Sequence, residues 1–113
     1  MESLVERIAK LEYYQLLLLE MIDDERLPFY QLIIKARLTK QEVEDLLSFC
    51  EELNKQYEKQ KAEGFVVFSP LLTQFAGMLH PKLNPEATIF ALFNQGMYTG
   101  LMTEFRKIIS IER

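Results

Sequence analysis

Between Leu4 and Ile22 the chain changes character halfway along. Wound at about 100° per residue, Leu4, Ile8, Leu11, Leu18, Leu19 and Ile22 share one face, with Gln15 interrupting the stripe. As far as Glu12 the opposite side carries Glu2, Glu6, Lys10 and Glu12, the pattern of an amphipathic helix that lays one face on a bundle. From Tyr13 onward only Gln15 and Glu20 are polar, and Tyr13, Leu16 and Leu17 occupy the back of the stripe. A helix apolar nearly all round is either central in its bundle or covered by another subunit. We take the second reading, with Tyr13, Leu16 and Leu17 as the oligomer interface of a homodimer or homotrimer. A membrane span needs roughly 20 apolar residues; this run is shorter and contains Glu20, so no membrane segment is expected. The acidic leader and the lack of a small-residue cleavage site do not fit a signal peptide.

Helix one is expected to stop around Asp23 to Arg26, because Pro28 pushes Leu27 out of helical geometry. Pro28 suits the first turn of helix two, whose buried side is Phe29, Tyr30, Ile33 and Ile34 and whose end falls near Ala36 or Arg37. Thr39 with Glu42 forms a capping box and opens helix three. Val43, Leu46, Leu47, Cys50, Leu53 and Tyr57 keep helical spacing there, and Gly64 is the left-handed stop. Phe65 to Phe68 could suit a strand, but no second strand-like segment exists, so we read an extended, buried linker. Ser69 with Pro70 caps a short helix through Leu71, Leu72, Phe75 and Leu79, in which Gly77 suggests close approach by another helix. Asn84 with Pro85 repeats the device, opening a helix with Ile89, Phe90, Leu92 and Phe93 that stops at Gly96. A last helix carries Met97, Leu101, Met102, Phe105, Ile108 and Ile109.

A shift of 59 residues lays Tyr30, Ile33, Ile34, Leu38, Val43, Leu46 and Cys50 on Ile89, Leu92, Phe93, Met97, Met102, Phe105 and Ile109. Both hairpins then turn at one step, at Arg37 and at Gly96. The expectation is a left-handed cap at Arg37, a conformation that costs a side chain about 1 kcal/mol against glycine.

The 113 residues, 49% hydrophobic and 27% charged, suit one folded domain spanning 1–113 and exclude a disordered chain. Net charge is −4, with 13 basic residues scattered among 17 acidic ones, which argues against a phosphate-binding face. Cys50 is the single cysteine, so an intrachain disulfide is impossible and a reducing cytoplasm is the simpler compartment. His80 is the single histidine and lacks partners at catalytic or zinc spacing. Asp23, Asp24 and Glu25 resemble the start of a calcium loop, but its central glycine and closing glutamate are missing. No catalytic, cofactor-binding or metal-ligating residue is therefore assigned. Residues 29–53 have the outline of a helix-turn-helix, and Lys35, Arg37 and Lys40 favour it. Glu42, Glu44 and Asp45 would repel phosphates where such a helix enters the groove.

Five blocks carry a resemblance over nearly the whole chain: RIAKLEYY from Arg7 to Tyr14, PFY from Pro28 to Tyr30, Gly64 with Phe65, FAGML from Phe75 to Leu79, and TIFALFNQGMY from Thr88 to Tyr98. In this order they resemble the YhaI-like family of small uncharacterised bacterial proteins. The resemblance implies an all-helical domain and no assigned activity; at Arg37, where the family pattern would place glycine, this chain departs from it. The expectation is an all-α, single-domain bundle of five or six helices with a long N-terminal amphipathic helix. Its expected role is that of an oligomeric, non-enzymatic interaction or regulatory protein without cofactor. The alternative is a nucleic-acid-binding regulator using 29–53.

Overall fold

The computed structural model describes residues 1–22 and 27–112, the last two of these in backbone only. Within them the chain is all-α: α1 (Leu4–Met21), α2 (Pro28–Ala36), α3 (Lys40–Ala62), α4 (Ser69–Met78), α5 (Pro85–Asn94) and α6 (Thr99–Glu112). The expected end of helix one at Asp23 to Arg26 and the calcium-like Asp23, Asp24 and Glu25 lie outside the described residues.

α2 to α6 build the core. α5 packs on both α2 and α6, and α4 bridges α3 and α6. Phe29, Cys50, Leu53, Leu71, Phe75, Ile89, Leu92, Leu101, Met102 and Phe105 are fully buried. The Phe75 and Phe105 rings meet at 5.5 Å between centroids, joining α4 to α6. The spacing read for α3 is realised: Leu46, Cys50, Leu53 and Tyr57 are buried, with Val43 and Leu47 packed at the margin.

Local caps set where each helix ends. Thr39 accepts from the Glu42 N–H at 3.1 Å while the Glu42 carboxylate accepts from the Thr39 N–H at 2.8 Å, completing the capping box. Asn84 caps α5 by accepting from Ala87 at 2.9 Å. Arg37 is left-handed (φ 58°, ψ 43°), and Gly64 and Gly96 also have positive φ. At all three the paired bonds of a Schellman motif form. Leu38 N–H reaches Ile33 C=O at 3.3 Å, and its counterpart 59 residues on, Met97 N–H, reaches Leu92 C=O at 2.9 Å. The repeat holds in this backbone turn and fades in packing, since Ile89 is buried but Tyr30 is 52% exposed. Arg37→Gly should therefore stabilise by about 1 kcal/mol. For a domain of this size the melting temperature should rise by about 4 °C, and an unchanged or lowered value would contradict the strain at Arg37.

Tyr30, expected on the buried side of helix two, is instead 52% exposed, and four further expectations fail. The helix before Glu12 does not lie on the bundle: no α1 residue is buried, and its front stripe faces solvent. Correspondingly the Cα radius of gyration is 17.2 Å and the longest extent 65 Å, against about 13 Å for the radius of a compact domain of this length. The 65–68 linker is extended but exposed, with Val66 at 83%, and only Phe68 enters the core, stacked edge-on against Tyr57. Ser69 is the first helical residue of α4 rather than its cap; the cap is Phe68, which makes no side-chain capping bond. Gly77 meets no neighbour, because a Cβ built there finds nothing within 4 Å. Without a close approach to protect, Gly77→Ala should stabilise by about 0.5 kcal/mol through helix propensity. A lower melting temperature for that variant would show that some neighbour needs the gap.

Candidate interaction surface

α1 starts on a well-formed cap, with the Ser3 hydroxyl accepting from the Glu6 N–H at 3.1 Å. From there its apolar side chains project into solvent, with only Leu19 of the helix half-buried. Tyr13 is 58% exposed, Leu16 61% and Leu17 38%, and Leu4, Val5, Ile8, Leu11, Leu18 and Met21 are exposed with them. Exposed apolar residues scattered singly are ordinary; a contiguous apolar surface marks an interaction site. The three residues singled out from the sequence thus sit on the largest uncovered apolar element of the fold, but they share it with the front stripe, which was expected to be buried.

Several polar side chains elsewhere tie the scaffold together. His80 Nδ1 accepts from the Lys82 N–H at 3.1 Å, which leaves the proton on Nε2 facing Glu42 Oε2 at 2.5 Å. This contact ties the turn after α4 to the first turn of α3, a long-range link that no spacing rule could have revealed. The Thr39 backbone N–H first, and His80 second, hold the Glu42 carboxyl below its ordinary range. A depressed carboxylate stabilises the fold above its unfolded pKa, and that contribution disappears as pH falls through the folded pKa. Glu42→Ala should accordingly melt below the wild type near neutrality, and the two curves should converge as pH falls below 4.5. A gap that persists unchanged in acid would contradict the contribution of the Glu42 charge.

Cys50 is fully buried on α3, and burial pushes its thiol up to about 12, which keeps it protonated and unreactive. Tyr98 adopts an unusual positive φ of 51° and donates its hydroxyl to the Leu47 carbonyl at 3.3 Å, pinning the α5–α6 turn to α3. Burial first, then the neighbouring Cys50 and Glu51, raise its phenol. Arg106 lies over the Phe93 and Phe90 rings at 4.3 and 4.9 Å, two cation–π contacts beside a buried Nε that has no hydrogen-bond partner among the described residues. Neither feature was legible in the sequence, because each depends on which helices meet.

Besides a groove of about 430 Å³ between the 65–68 linker and α6, lined by Phe65, Val66, Phe68, Glu104 and Lys107, two others border α6 among the described residues. One, of about 640 Å³, runs between α4, α5 and α6 over Leu72, Ala76, Ile89 and Ile109; the other, of about 490 Å³, is lined by Phe90, Thr103, Arg106, Lys107 and Ser110. His80 and Glu42 line neither. Among the described residues no group of three or more His, Cys, Asp or Glu is placed to hold a metal, and no helix is long and apolar enough to cross a membrane. The helix-turn-helix outline at 29–53 is real as α2, turn and α3. At its tip, however, Lys40 faces Glu44 at 3.8 Å, and Glu42 is engaged by Thr39 and His80.

The model of a family described as "Protein of unknown function (DUF1878)" matches residues 1–110, from the N-terminal residue through nearly all of α6. The match takes in the uncovered α1 together with the core helices, so the chain belongs to the DUF1878 family, a family described as of unknown function.

Proposed function

We propose that this protein is a non-enzymatic interaction protein that assembles with copies of itself through α1, with Tyr13, Leu16 and Leu17 among the anchors. The observation that carries the proposal is that an 18-residue helix rich in large apolar side chains buries none of them in its own domain. An isolated helix of this length is marginal in water, and most helical stability in proteins comes from packing an apolar face. Each Leu or Ile that a partner covers contributes about 1.5–3 kcal/mol, so a handful of such contacts suffices for stable association. A regulatory role through this assembly, a cytoplasmic location and the narrower YhaI-like kinship belong to the same reading. Support for the location comes from the single cysteine, buried as a free thiol.

Light scattering on the wild type and on Leu16→Glu with Leu17→Glu tests the proposal. The wild type should have the mass of two or three chains and the double variant a lower one. Equal oligomeric masses would move the interface away from the back face, for instance to Phe65, Val66 and Val67. A salt-dependent DNA shift at low micromolar protein would instead place the function on α2 and α3.

A further inference from the structure

Resting on that self-association, we infer that the front of α1 is the seam of a parallel, in-register coiled coil between two copies of this chain. Leu4, Ile8, Leu11, Gln15, Leu18 and Ile22 succeed one another at steps of four, three, four, three and four residues. That is the spacing of d, a, d, a, d and a positions of a heptad. All six are solvent-exposed in the single chain, Ile22 lying one residue past the last turn. Ile at a with Leu at d is the combination that suits two parallel strands, and one polar a residue fixes register.

Charge and polarity decide the direction. In a parallel pair Arg7 at a g position faces Glu12 at the following e position of the second copy, and the reciprocal pair repeats the attraction. Gln15 then meets Gln15, and their side-chain amides satisfy each other. An antiparallel pair laid on the same stripe sets Glu12 beside Glu12 and opposes Gln15 to Leu11, leaving a like-charge contact and a buried amide without a partner. Direction also explains why α1 is two-natured. A parallel pair keeps both folded bodies at the Ile22 end, where the back of the helix is the apolar Tyr13, Leu16 and Leu17 and can be covered by the body of the other copy. The charged back with Glu2, Glu6 and Lys10 points away from both bodies. An antiparallel pair would set each body against the charged half.

The test is Leu18→Cys in the full chain, treated with oxidised glutathione, with mass read by light scattering under reducing conditions. In the parallel seam the two position-18 side chains face each other within disulfide reach. In the antiparallel pair residue 18 faces residue 8, so the two cysteines sit about 15 Å apart, beyond bridging. Buried Cys50 does not compete. The expected result is a two-chain mass and a disulfide-linked pair as the main oxidised species. Arg7→Glu and Glu12→Arg should each weaken association by roughly tenfold, and the two together should restore it. A two-chain mass without cross-linking, a three-chain mass, or charge reversals without mutual rescue would overturn the seam while leaving self-association standing. A one-chain wild type would overturn both.

Discussion

Phe105→Ala should destabilise the fold by about 3–5 kcal/mol, the largest effect expected from any single residue. Phe105 is fully buried in α6 and faces the equally buried Phe75 of α4 at 5.5 Å. Truncation removes a ring that joins α4 to α6, and helices fixed by several other partners can close the resulting void only in part. Because domains of this kind are stable by only about 5–15 kcal/mol, a substantial unfolded fraction is expected on warming. Urea unfolding followed by circular dichroism would measure it. A loss below about 1 kcal/mol would mean that the site collapses freely, contradicting a core built around this ring pair.

Leu16→Glu with Leu17→Glu should have the opposite profile: a large effect on assembly and on α1, and almost none on the body. Neither residue touches the core, so the cooperative unfolding of α2 to α6 should keep its midpoint. Losing its partner, α1 becomes an isolated 18-residue helix, marginal by itself, and it supplies about a fifth of the helical residues. The helical circular dichroism signal should fall by up to that share while the main transition stays in place. Should the double variant unfold as a whole, α1 would have to be a core element, contrary to its exposure. If it instead keeps full helicity and full mass, the back face takes no part in assembly.

What could be read from the sequence was whatever is decided within a few residues. Thr39 with Glu42, Asn84 with Pro85, and Gly64 and Gly96 marked helix ends because a cap satisfies orphan backbone groups three or four residues away. Arg37 was legible as a left-handed cap despite carrying a side chain, because the turn it occupies repeats the one at Gly96. The α3 stripe was right because periodicity reports which face is apolar. Periodicity does not report what covers that face. The front of α1 has the same spacing as α3 and was read in the same way, yet Leu46 and Leu53 meet α2 to α6 whereas Ile8 and Leu11 meet solvent. Gly77 misled for a related reason: a small residue permits a close approach without requiring one. His80 with Glu42, and Arg106 with its two rings, depend on tertiary placement and left no local signal.

Self-association through α1 is the central claim, and sedimentation equilibrium of the unmodified chain at low micromolar concentration tests it most directly. The account predicts a mass of two 13.3 kDa chains. A single-chain mass that persists as concentration rises into the hundreds of micromolar would contradict it.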